Sequence, residues 1–133
     1  MRALTLLCIG VYLFGFDYGL KPVKVESDVY CIFGNPGAPS VKNGGNIVNS
    51  CYIELEDGIL AVDTGPTYKY AKEAAEKIEK TMGKKITLVL NTHYHNDHLG
   101  GNAYYREHKI KIIGDSKIKE AYEKIPERFS SYQ

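Results

Sequence analysis

The run Ile86-Thr87-Leu88-Val89-Leu90, leading through Asn91-Thr92 into His93-Tyr94-His95-Asn96-Asp97-His98, constrains this chain more than any other feature. A short, nearly continuous apolar run predicts a central strand covered on both faces. That strand delivers the chain to a cluster holding three of its four histidines. Neutral imidazole and carboxylate are good ligands for zinc and related borderline metals. His93 and His95 are two residues apart, so an extended backbone points both rings to one side. Asp97 and His98 follow once the chain begins to turn, and can address a second point nearby. Gly100-Gly101 then allows a sharp bend. A strand end opening into a loop is where α/β sheets place ligand sites. Packing four potential ligands at the end of a buried strand has no structural benefit, so the cluster reads as a metal site.

The segments around this cluster predict a layered α/β domain. Residues 23–33 read as one strand and residues 47–55 as a second. Between them, Gly34 to Asn46 is rich in Gly, Pro and Asn and reads as a long loop. Glu56-Asp57-Gly58 is a hairpin turn, followed by a short buried strand from Ile59 to Val62. Thr67 opens a helix to about Thr81, with Tyr70, Ala71, Ala74, Ala75 and Ile78 on one face and Gly83 as terminator. After the histidine cluster come a short helix to about Glu107, a strand from Lys109 to Ile113, and a last helix capped by Asp115 or Ser116.

Charge is nearly balanced, at +1 over 133 residues, which does not favour a nucleic-acid partner. The apolar stretch from Ala3 to Phe16 behind Arg2 has the form of a secretory leader, and is too short for a comfortable membrane span. Residues 1–19 are therefore assigned as leader and residues 20–133 as the domain; a buried first strand or helix is the alternative. An exported protein, periplasmic or secreted, is expected. Cys31 and Cys51 remain after the leader, as a disulfide or as two buried thiols.

The segment from His93 to His98 resembles the His-x-His-x-Asp-His signature of the metallo-β-lactamase superfamily. Ile59 to Gly65 resembles that family's earlier strand ending in Asp-Thr-Gly. The resemblance runs from Val23 to Ile113 and implies the N-terminal half of an αββα sandwich (α/β, of the α+β kind). It implies that His93 and His95 bind a first metal, that Asp97 and His98 bind a second, and that Asp63 orients a ligand histidine. One or two zinc ions would activate water against a small-molecule ester, thioester, lactam or similar bond, with Asp97 as the catalytic proton carrier. Asn43, Gly44 and Gly45, in the long loop, would belong to a flap over the substrate.

The family pattern continues with further ligands downstream that this chain lacks. His108 reads as a surface residue and Asp115 as a helix cap. The chain thus reads as a partial domain, with a sheet face left for an absent second sheet and with weak or no hydrolysis by itself. Self-association, or a partner chain supplying the other half, would cover that face. Two other readings stay open: an iron-dependent redox enzyme of the same superfamily, and a non-catalytic metal-binding fragment or subunit.

Overall fold

A computed structural model describes residues 16–123, so most of the leader assignment lies outside the described residues. Six strands form one sheet in sequence order: β1 (Val23–Glu26), β2 (Val29–Ile32), β3 (Ser50–Leu55), β4 (Gly58–Val62), β5 (Ile86–Asn91) and β6 (Lys111–Gly114). The first four pair antiparallel, and β4–β5–β6 pair parallel. Four helices complete it: α1 (Tyr68–Met82), α2 (Asn96–Leu99), α3 (Asn102–Glu107) and α4 (Ser116–Glu123). The change from antiparallel to parallel follows from the connections. Tight turns can join only antiparallel neighbours, whereas α1 carries the chain back for a parallel one.

Two expected strands are shorter than their sequence pattern. The single strand expected over 23–33 is a hairpin, because Ser27 and Asp28 break it: the Ser27 N–H bonds the Glu26 carboxylate and its hydroxyl bonds Asp28. Asp and Ser side chains compete with the ladder for backbone partners. The second strand begins at Ser50 rather than Ile47, because Asn49 turns its side chain to the Gly34 N–H across the loop.

Helix α1 lies on one face of the sheet through Tyr70, Ala71, Ala74, Ala75 and Ile78, all buried. Three alanines let the helix approach closely, and the core they meet holds Ile32, Tyr52, Ile59, Ala61, Ile86, Val89 and Tyr105. The Thr67 hydroxyl caps α1 by accepting the Tyr70 N–H, and Gly83 ends it in the left-handed region at φ 71°. Such a cap is worth about 1 kcal/mol.

Phe16 to Leu20 belong to this body. The Tyr18 hydroxyl donates to the Gly44 carbonyl at 3.0 Å and shares a 2.8 Å hydrogen bond with Thr67. The Glu73 carboxylate accepts the Tyr18 and Leu20 N–H groups, Lys77 donates to the Leu20 carbonyl, and Leu20 is buried.

The opposite sheet face is only half covered. Val29, Ile53, Leu60 and Leu88 lie side by side across four strands, as do Cys31, Cys51, Val62, Leu90 and Ile113 across five. Leu60, Val62, Leu88 and Leu90 are partly exposed, and Leu55 and Ile113 are more so. Among the described residues β5 is therefore fully covered on one face and partly on the other, where its apolar run implies cover on both. Cys31 and Cys51, left open as bridge or thiols, are directly opposite in the β2–β3 ladder and form a disulfide.

Candidate metal centre

The site is built where β4 and β5 end side by side. Beyond β4 the chain turns at Asp63, whose φ of 62° is left-handed. Aspartate tolerates that conformation better than most side chains. The Asp63 N–H still donates to the Leu90 carbonyl of β5. This turn leaves a carboxylate, only 4% exposed, beside the first residues after β5. Its Oδ1 accepts the Thr92 N–H at 2.8 Å; its Oδ2 accepts the Thr92 hydroxyl at 2.6 Å and the His98 Nδ1 at 2.8 Å. An ionised carboxylate only accepts, so this contact assigns a proton to His98 Nδ1, the tautomer in which a neutral ring keeps its lone pair on Nε2.

His93 and His95 stand in the extended stretch after β5. Their rings meet edge to face at 4.1 Å, with His93 Nε2 2.8 Å from His95 Nδ1. The His93 ring also lies 5.1 Å from that of His98. The His93 ring thus lies next to both of the other imidazoles expected to bind metal. Tyr94, 45% exposed, packs its ring on both His93 and His95. Asp97 and His98 occupy α2, a single turn that sequence periodicity could not reveal. Asp97 is half-buried. His108 is exposed, its ring bonded to the Tyr104 carbonyl, and Asp115 caps α4 through the Lys117 N–H.

The backbone behind the histidines is close-packed. Thr64 N–H donates to the His98 carbonyl at 2.7 Å, and Gly101 N–H to the Gly65 carbonyl at 3.0 Å. A Cβ on Gly100 would strike the Pro66 carbonyl, and one on Gly101 the Thr64 carbonyl. The glycine pair is required by this approach. Asn43, Gly44 and Gly45 border the same end of the sheet. The Asn43 side chain bonds Ser40, Gly45 and Ala38, Gly44 abuts Phe16 and Tyr18, and Gly45 abuts Pro66. The exposed part of that loop is residues 35–42.

Sequence reasoning missed the buried polar residues beneath the loop: Thr64, Asn91 and Asn102. One signal was available, since Asn91 closes an apolar strand at a buried position.

Imidazole nitrogen from His93, His95 and His98 and carboxylate oxygen from Asp97 form a donor set that fits zinc. The facing nitrogens of His93 and His95, with Nε2 of His98, are the groups that could hold a cation. Among the described residues, however, no group of three or more His, Cys, Asp or Glu is drawn together closely enough to hold an ion.

The metallo-beta-lactamase superfamily model matches residues 43–129. A type 2 metallo-beta-lactamase of Bacillus sp. (strain 170) is 35% identical over 63 residues, covering 47% of this chain and 24% of that protein. The mitochondrial hydroxyacylglutathione hydrolase of Saccharomyces cerevisiae is 37% identical over 68 residues, covering 45% of this chain and 24% of its own length. Among solved structures, a metallo-beta-lactamase from Erythrobacter litoralis superposes with a TM-score of 0.68 at 18% identity, covering 83% of this chain and 47% of that one. A metallo-beta-lactamase from Pseudomonas aeruginosa, in its mono-zinc form, gives 0.67 at 21% identity, covering 78% and 45%. The chain thus spans about a quarter of the curated relatives it matches and under half of the solved chains. With its paired motifs, its sheet and its family match in agreement, the chain belongs to the metallo-beta-lactamase superfamily.

Proposed function

We propose that this chain supplies the first metal-binding half of a zinc-dependent hydrolase acting on a small-molecule ester, thioester, lactam or similar bond. The observation that carries this reading is the meeting of His93, His95 and the Asp63-held His98 at the end of β5. Zinc, when bound, would polarise the scissile group and activate water. His93, His95 and His98 would hold it through nitrogen, and Asp97 through oxygen. Asp63 would fix the His98 tautomer, leaving Nε2 for the ion. Asp97 would also move the proton of the attacking water. The exposed residues 35–42, anchored through Asn43, Gly44 and Gly45, would lie over the substrate. Export is supported by the Cys31–Cys51 disulfide, since such bonds persist in oxidising compartments. Among the described residues no helix is long and apolar enough to cross a membrane.

A second reading, a subunit completed by another chain or by a second copy, is favoured by the partly exposed apolar rows on the half-covered sheet face. Zinc content and hydrolysis of a chromogenic β-lactam and a thioester, compared with a His93→Ala/His95→Ala variant, test both. Zinc and turnover lost together in the variant support the hydrolase. Zinc without turnover supports the subunit. No zinc in either protein refutes the metal site of this chain.

A further inference from the structure

Beneath the histidine loop, Asn91 and Asn102 face each other, 4% and 6% exposed. Their amides pair reciprocally: Asn102 Nδ2 donates to Asn91 Oδ1 at 2.7 Å, and Asn91 Nδ2 to Asn102 Oδ1 at 3.2 Å. The Thr64 hydroxyl also reaches Asn102 Oδ1, at 2.9 Å, and lies 3.3 Å from the His98 carbonyl. These three side chains belong to the three segments that carry the site. Asn91 ends β5 two residues before His93. Asn102 begins α3 four residues after His98. Thr64 follows Asp63. Buried amides need partners, and two amides in register satisfy one donor and one acceptor each.

We propose that Asn91 and Asn102, with Thr64, are positioning residues for the metal site: their amide clasp closes the loop at both ends and so sets His98 against Asp63 and the His93–His95 pair. The proposal rests on the metal-centre reading above. None of the three needs to touch the ion. A loop open at its ends has no other buried side-chain tie between β5 and α3 among the described hydrogen bonds. The clasp also gives a reason for Asn102 directly after the glycine pair. Gly100 and Gly101 bring the backbone against Pro66 and Thr64, and Asn102 locks it there.

The test separates holding the fold from holding the site. Asn91→Leu/Asn102→Leu replaces both partners with apolar groups of similar shape, an exchange that can be nearly neutral for stability. On the full-length chain, three things are measured: the melting temperature, the NMR signal of the His98 Nδ1 proton without metal, and zinc affinity by competition with a chromophoric chelator. The expected result is a melting temperature within a few degrees of wild type, loss of the Nδ1 proton signal to solvent exchange, and zinc binding weakened about 10- to 100-fold. Thr64→Val, which keeps the bulk and removes the hydroxyl, is expected to reproduce the spectroscopic loss in part. It serves as the deciding variant if the double substitution does not fold. A wild-type chain without the Nδ1 signal, or a folded variant that keeps both signal and affinity, overturns the proposal. A wild-type chain that takes up no zinc refutes the metal reading, while the His98 signal alone still judges the clasp.

Discussion

Replacing Asp63 by Asn and by Ala separates what its carboxylate does for the fold from what it does for His98. In Asp63→Ala the Thr92 N–H loses a charged acceptor, and an alanine must adopt φ 62°. A hydrogen bond to a charged group is worth about 2 kcal/mol, and the left-handed conformation costs about 1 kcal/mol. The His98 side chain is 23% exposed, so water replaces part of its lost bond. The sum is about 3 kcal/mol, or roughly 10–20 °C in melting temperature for a domain of this size. Asp63→Asn behaves differently. Its oxygen must face the Thr92 N–H, which leaves the amide nitrogen, now a donor, towards the Thr92 hydroxyl and His98 Nδ1. The hydroxyl can turn and accept. His98 can accept only by moving its proton to Nε2, which removes the lone pair offered to a metal. The stability loss is then only about 1 kcal/mol, while zinc affinity falls about 10- to 100-fold. Urea unfolding of the metal-free chain, long-range nitrogen–proton NMR of His98 and chelator competition measure the three quantities. An Asp63→Asn protein with the proton still on Nδ1 and zinc affinity unchanged would refute the reasoning.

Two other outcomes follow from the body of the domain. The Cys31–Cys51 bridge spans 20 residues, so Cys31→Ala/Cys51→Ala should cost about 3 kcal/mol in urea unfolding, and a reductant should lower the wild type to the variant's value. Burial raises the Tyr52 and Tyr105 hydroxyls above the usual value of 10.0 and pushes Tyr70 up to about 12. Their protons are bound in both states below pH 10, but above it the unfolded chain ionises first. These tyrosines should thus leave stability unchanged below pH 10 and lower it between pH 10 and 12, by about 1.4 kcal/mol per pH unit for each buried tyrosine. Tyr105→Phe should make that slope shallower, as read from urea midpoints across this range.

The elements with strong local signals were legible in the sequence. Thr67 and Gly83 bound α1 because a hydroxyl cap and a left-handed glycine are local devices, and the five core residues of α1 follow from helical spacing. The three clustered histidines could be read for the same reason: they lie within six residues and need no distant segment to be noticed. The break at Ser27-Asp28 and the single turn of α2 were not legible, because each rests on a few hydrogen bonds that periodicity does not register.

What the sequence determined by itself is therefore the chemistry available at the end of β5: nitrogen and oxygen donors, a bend, and an acidic residue at the end of a neighbouring strand. Only the tertiary structure decided how these donors are held. Asp63 reaches His98 across 35 positions of chain, and Thr64 reaches Asn102 across 38. Those contacts exist because β4 and β5 pair in parallel, with α1 packed across them. A carboxylate's partner, a histidine's tautomer and the mate of a buried amide are set by what lies within about 3 Å in space, and separation along the chain does not encode that distance.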